Sequence, residues 1–340
     1  MQRTVRTLAL AAILSSLGST ALAQATNVQI YGLVDMYVAR SQLSGTPTTT
    51  VANSGGMTTS FWGLGGTENL GGGTSAVFAI EGFLRADTGE AGRSPGEAQF
   101  TRAAYVGLNG HMGQVKIGRL PTPLFQLTGN LNPFGFSTRF SPLMTQMWIA
   151  GYGVAIMGDS GWNNALHYTS PTFGGGFSVV GQVNLGERTG TSTGNNSTAV
   201  LRYQSEPLML AVAAQDVKNG LNQSATAPNQ RTYFAGGSYD FKAAKVFATY
   251  DHSKTALTGR RTRMVHAGVA VPHGAGKWML GWARANERTN VRAPYHRDTI
   301  SAGYDYNLSV RTDVYAMSVY DKISTSTSGT TLATGIRHKF

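Results

Sequence analysis

The residues that could do covalent or coordination chemistry are few and scattered. Seven histidines (His111, His167, His252, His266, His273, His296 and His338) are spread over 340 residues, and there is no cysteine. Asp251-His252-Ser253 is the one suggestive triplet. Neighbours on a strand point to opposite faces, so it does not bring nucleophile, base and orienting acid together. No grouping of His, Asp or Glu has the spacing of a metal site, and loop carboxylates such as Asp87 and Glu90 offer divalent ions only generic contact. The sequence therefore predicts no enzyme, no metal and no organic cofactor. Lys and Arg number 28 against 17 acids, a formal charge of +11. A basic balance raises nucleic acid as a partner, but these charges are dispersed with no Lys/Arg run, and the chain begins like an exported one.

Residues 1–23 read as a cleaved secretory signal. Arg3 and Arg6 form the positive region, residues 8–17 the short apolar core, and Ala21-Leu22-Ala23 the cleavage site. The mature chain would then span residues 24–340 as one domain, and its formal charge would fall to +9. Glycine accounts for 43 residues, well above the usual ~7%. Mean hydropathy is −0.14, too polar for a helical membrane protein. Beyond the signal no apolar run approaches the ~18 residues of a spanning helix. Without cysteine the fold uses no disulfide.

Period-two alternation is the dominant pattern. Val28, Ile30, Gly32, Val34, Met36 and Val38 form one apolar face, with Gln29, Tyr31, Leu33, Asp35 and Tyr37 between them. Ala76, Phe78, Ile80, Gly82 and Leu84 repeat it against Glu81 and Arg85. Phe177, Val179, Gly181, Val183 and Leu185 repeat it against Ser178, Gln182 and Asn184. A soluble sandwich would alternate in the same way, so the connections carry the distinction. Short turns fall at 69–73, 109–113, 171–174, 205–207, 241–244, 272–276 and 308–310. Long polar stretches fall near 41–59, 87–98, 120–161, 187–197, 216–230, 253–262, 285–297 and 322–329. Short and long links alternate, which is the habit of an outer-membrane barrel. The expectation is an all-β, 16-stranded antiparallel transmembrane barrel with short periplasmic turns and long extracellular loops. Its last strand, ending on Phe340, would meet the first and abolish the sheet edge. Tyr304, Tyr306, Trp278 and Trp282 would sit in interfacial girdles.

The residues also carry a resemblance. Val28-Gln29-Ile30-Tyr31-Gly32-Leu33-Val34-Asp35, then residues 66–73 (GTENLGGG), Tyr105-Val106-Gly107-Leu108, Gly118-Arg119, residues 168–175 (YTSPTFGG), Gly303-Tyr304-Asp305-Tyr306, residues 308–313 (LSVRTD) and Gly335-Ile336-Arg337-His338-Lys339-Phe340 follow one another. Their order resembles the general diffusion porins of Gram-negative outer membranes, in particular the β-proteobacterial type. The resemblance implies a homotrimer among outer-membrane lipids, a water-filled channel for small hydrophilic solutes, and a third loop, 120–161, folded into the pore. It also implies that Phe340 serves the barrel-assembly machinery. The long loop carries Phe134, Phe136, Phe140, Met144, Met147, Trp148, Ile149 and Tyr152, which favours packing against the inner wall over exposure.

A porin selects by width and field. The resemblance implies acids on the infolded loop facing arginines on the wall. Here Asp159 is the loop's only acid. The basic candidates are Arg85, Arg102, Lys116 and Arg119 on the wall and Arg139 on the loop, with Glu81 and Asp35 as wall acids. Parity sets Arg119 beside Val115 and Ile117, toward lipid, where an arginine costs about 2–4 kcal/mol. The resemblance puts it in the pore, so an irregularity at the strand end is expected to turn it. Phe61 and His167 stand where family members often carry arginine, thinning the basic ladder. The reading is a weakly to moderately anion-selective pore. A specific channel for sugars or organic acids is the alternative, because the aromatic third loop could form a track. An adhesin lacks a passenger domain.

Overall fold

The computed structural model describes residues 27–149, 152, 156, 158–186, 195–218, 229–256, 258–290 and 293–340. The proposed signal, residues 1–23, lies outside them. The strands are β1 Asn27–Ser41, β2 Thr49–Ser54, β3 Phe61–Gly71, β4 Thr74–Arg85, β5 Glu90–Ala91, β6 Ala103–Gly110 and β7 Gly113–Pro121. After two short helices, α1 Pro123–Asn130 and α2 Pro142–Trp148, come β8 Gly161–Thr169, β9 Phe177–Asn184, β10 Ser197–Ser205, β11 Leu208–Val217 and β12 Gln230–Asp240. The chain ends with β13 Lys245–Thr255, β14 Arg261–His273, β15 Gly276–Arg288, β16 Tyr295–Asn307, β17 Thr312–Ile323 and β18 Gly329–Lys339. Both β2 and β3 pair with β1, one with its later half and one with its earlier half. They are two parts of a single wall strand. β5 is a two-residue extension on β4. The wall is therefore a 16-stranded antiparallel barrel, as the alternation of links predicts.

Closure occurs where expected. β1 pairs with β18 from Leu33↔Lys339 to Arg40↔Leu332, and Gly32 and Phe340 exchange backbone hydrogen bonds of 3.1 and 3.2 Å. Glycine is needed at position 32, because a Cβ there would lie 2.5 Å from the Phe340 ring.

The faces are inverted relative to a soluble sheet. Val28, Ile30, Val38, Val179, Val183 and Leu185 are exposed, whereas Ser178, Gln182 and Asn184 are buried. Apolar residues thus look out to acyl chains and polar ones look in. Trp278, Tyr304 and Tyr306 cluster near a short turn, with centroids 4.6 and 6.3 Å apart, as a girdle requires. Trp282 instead hydrogen-bonds Asp298 through its indole N–H.

Two loop expectations need correction. The stretch 41–59 is not all loop, because Thr49–Ser54 continues the wall strand. The stretch 285–297 is shorter than expected, because β15 runs to Arg288 and β16 starts at Tyr295. In both cases polar composition hid outward-facing residues above the lipid band, where water rather than hydrocarbon is the neighbour.

The third loop fills much of the lumen. Thr122 and Ser141 cap α1 and α2, each followed by proline in the first turn, an arrangement that suits proline's missing N–H. Leu124, Leu127, Leu131, Leu143 and Met147 pack on Val200, Ala211, Ala213, Phe234, Met264 and Ala283 of the wall. Phe134 and Phe140 pack on Tyr37, Ala39, Met279, Tyr315, Met317, Val319 and Ala333. Each such side chain contributes about 1.5–3 kcal/mol of burial. Asn132 joins the helices by donating to Thr128 O and Gly135 O and accepting from Ser141 Oγ. Gln146 donates to Ala283 O and Thr299 Oγ1 of the wall. The loop therefore lines the side formed by β9 to β18 and β1. Strands β3, β4, β6, β7 and β8 contribute nothing to either apolar cluster.

Candidate functional site

Charged side chains gather on that second side of the wall, where a smaller cluster of Leu120, Trp162, Ala165 and Val217 packs near the loop root. Arg102 forms an ion pair with Glu81, and its guanidinium lies 3.7 Å from the centroid of the Phe61 ring. Tyr31 donates to the other Glu81 oxygen at 2.7 Å. Glu81 faces inward at its position on β4; Arg102 reaches it from just before β6 begins. Phe61, one of the two departures from the basic ladder, is thus a platform for the neighbouring arginine.

Lys116, inward on β7, sits 4.6 Å from the Tyr105 ring centroid and has no acid partner among the described residues. Its cross-strand neighbour is His167, the second departure. His167 is held between Gln182 at 2.9 Å and Thr169 at 3.0 Å. Arg85 is inward but pairs with Glu90 at 2.8 Å, so Glu90 is a counter-ion rather than a free carboxylate. Arg139, on the infolded loop, is exposed with no ion pair among the described residues.

Arg119 is turned at the expected irregularity. The β7–β8 register shifts between Gly118 and Leu120, and Gly118 has φ +139. The bulge frees the Arg119 side chain from its lipid-side parity. It then reaches Thr101 O, Asn163 Oδ1 at 2.6 Å and Asp159 Oδ2 at 3.4 Å.

Asp159 does not face the wall arginines across the pore. It sits at the loop's root, where Arg93 binds both its oxygens at 2.8 and 3.0 Å. Arg93 also grips Glu97 four residues on. Burial opposes the charge on Asp159 most strongly, but bonds from Arg93 and Ser160 N, with the charges of Arg93 and Arg119, hold its pKa below the usual carboxylate value. Glu97 is likewise lowered against its own desolvation by Arg93. This second-loop clamp was missed in the sequence, although the Arg93–Glu97 spacing was a visible hint.

Asp35 is a correction. It is fully buried and lines no water path. Its carboxylate accepts from Gly56 N, Met57 N and Thr58 N at 3.1, 2.8 and 2.7 Å and from Tyr315 OH at 2.5 Å. It binds the inturned segment between β2 and β3. Parity alone put it on the inward face but could not see what covered it. Arg337, also missed, pairs with Asp313 at 3.0 Å and Asp305 at 3.5 Å and donates to Thr58 Oγ1.

A barrel with a polar lumen, an apolar outside and an infolded loop is the geometry of a pore. A family model for the Gram-negative porins matches residues 7–326. The chain belongs to the Gram-negative porins. This porin is 31% identical over 314 residues to outer membrane porin protein 32 of Delftia acidovorans, covering 89% of this chain and 86% of that protein. It is 25% identical over 393 residues to an outer membrane porin protein of Bordetella pertussis, covering 98% and all of the two chains. Among solved structures, the anion-selective porin from Comamonas acidovorans superposes with TM-score 0.75 at 25% identity over 93% of this chain and all of that one. The porin is accordingly an outer-membrane channel, and the family is one of channels rather than enzymes.

Proposed function

We propose that this porin passes small hydrophilic solutes by passive diffusion and favours anions. The observation that carries the reading is the imbalance of cations over acids among the residues proposed for the constriction. Lys116 and Arg139 have no acid partner among the described residues, and the loop's one acid, Asp159, is neutralised at the loop root. Glu81 is matched by Arg102. A surplus of cations in a narrow water path raises the local anion concentration. Likeness to an anion-selective porin supports the same sign. Reversal potentials in a planar bilayer under a KCl gradient test it: chloride should be preferred, and cation preference would overturn it.

A second reading, a channel for organic acids, is favoured by the ring-backed cations Arg102 on Phe61 and Lys116 on Tyr105. Concentration-dependent block of the ion current by a carboxylate, absent with an uncharged sugar, would support it. The accompanying proposals are a cleaved signal over residues 1–23, a mature chain of 24–340, a homotrimer, and recognition of the strand ending in Phe340 by the barrel-assembly machinery. Intact mass of the exported protein and its size in detergent check the first three. Export of a Phe340→Ala variant checks the last, which predicts slower appearance of folded barrel.

A further inference from the structure

The cations on the inner wall of β3–β7 are distinguished by what lies beneath them. The Arg102 guanidinium rests 3.7 Å from the centroid of the Phe61 ring, the separation of two stacked planes. Its edge is tied to Glu81. Tyr31 fixes the other Glu81 oxygen and meets Phe61 edge-on, with centroids 6.4 Å apart. One face of the guanidinium is thus covered and its edge engaged, yet the side chain keeps 30% of its surface exposed. The second face of the plate is what remains. Tyr105 follows three residues later, about 10 Å along the chain, with the Lys116 ammonium 4.6 Å from its ring centroid. The wall between the two cations is low. A Cβ at Gly65 would lie 3.1 Å from the Tyr31 ring, and one at Gly107 would lie 2.9 Å from Lys116 Cγ. Glycine at both positions lets the tyrosine ring and the lysine stem lie flat.

A flat surface of rings and plates selects a flat solute. We propose that the inner wall from β1 to β7 is a two-step track for planar aromatic monocarboxylates. The solute's ring lies on the exposed face of the Arg102 guanidinium, and its carboxylate passes on to Lys116. The proposal rests on the reading of this porin as a channel for organic acids, and it names their class. A planar ring suits the first step because a guanidinium stacks on aromatic faces. It suits the second because an ammonium is drawn to a ring as well as to a carboxylate. An aliphatic acid meets the same charges but gains nothing from the plate. Charge sets the valence. Arg102 and Lys116 stand against Glu81 alone, which leaves one positive charge. A second carboxylate on the solute would meet Glu81, and an aromatic cation would meet the surplus.

The test uses the full porin in planar bilayers at about pH 7, where simple carboxylic acids are ionised. Block of the ion current is titrated with benzoate, cyclohexanecarboxylate and benzyl alcohol. Benzoate should half-block at a concentration about fivefold lower than cyclohexanecarboxylate, the worth of one stacked ring. Benzyl alcohol should not block. Arg102→Lys keeps the charge beside Glu81 but removes the plate, so the two acids should then block within about twofold of each other. Lys116→Gln should weaken both acids alike, by about fivefold. Lys254→Gln, exposed on the outer face of β13, should change neither. If Arg102→Lys forms no channels, Phe61→Leu, which takes away the ring behind the guanidinium, should cut benzoate's advantage to about twofold. Equal block by benzoate and cyclohexanecarboxylate in the parent would overturn the proposal and leave the organic-acid reading standing. No block by either acid would remove both. Arg102→Lys weakening both acids equally, with benzoate's advantage kept, would show that Arg102 acts through charge alone and would overturn the track. So would block by benzyl alcohol equal to that by benzoate, which would mark a ring site indifferent to charge.

Discussion

The two halves of the lumen wall solve opposite problems. From β9 round to β1 the inner face is covered, its small residues Ala211, Ala213 and Ala283 leaving room for leucines of the third loop. From β3 to β8 it lies outside those two clusters and carries Glu81, Arg102, Lys116 and His167. One half holds the plug in place; on the proposed reading the other sets the field. If the proposed reading holds, width and selectivity belong to different residues, and each should yield to mutation without the other.

The largest expected effect is on the covered half. Phe134→Ala removes a ring only 2% exposed and should loosen the loop by about 3–5 kcal/mol. Single-channel records should then show extra conductance levels at an unchanged reversal potential. A quiet single level would break the comparison. Asp35→Ala should come next, leaving three backbone N–H groups without their acceptor and costing about 3 kcal/mol. The folded band on unheated gels should melt at lower urea, again with selectivity retained; a shifted reversal potential would return Asp35 to the pore.

The bare half should answer differently. Lys116→Gln removes one unpaired charge, worth about 1 kcal/mol in a water-filled passage. The anion-to-cation permeability ratio should fall roughly fivefold with stability changed by less than about 0.5 kcal/mol. Glu81→Gln should move the ratio the other way.

The smallest effect joins the two halves at the Arg93–Glu97–Asp159 clamp. Because Asp159 and Glu97 have lowered pKa values in the folded protein, the clamp's contribution is fully present above the ordinary carboxylate value near ~4 and is lost as pH falls below it. Proteolysis of the loop root should be unchanged from pH 7 to 5. Only under about pH 4 should it quicken, by the equivalent of less than ~1 kcal/mol for a partly exposed network. Asp159→Asn should weaken that dependence, and Asp159→Asn with Glu97→Gln should abolish it.

Much of the barrel was legible because alternation is a local property. Val179 and Gln182 declare their faces whichever strands lie beside them, and turns such as 171–174 need only a few residues. The site was less legible because it depends on what crosses the lumen. Nothing near Asp35 in sequence says that residues 56–58 return to cover it, and Arg119 follows a bulge centred on Gly118 rather than the strand's period. The helices of the third loop were readable in principle from Thr122-Pro123 and Ser141-Pro142. The expectation of a packed loop rested on its aromatics and stopped short of those caps.

The seam between β1 and β18 has a kinetic consequence. Leu33 meets Lys339, so the contact that finishes the cylinder links positions roughly 300 apart, the slowest kind of pairing for a chain to find. Until it forms, both margins of the growing sheet stay sticky and unsealed. The open chain therefore has every reason to need cover until the ring is complete, and closure is expected late in folding.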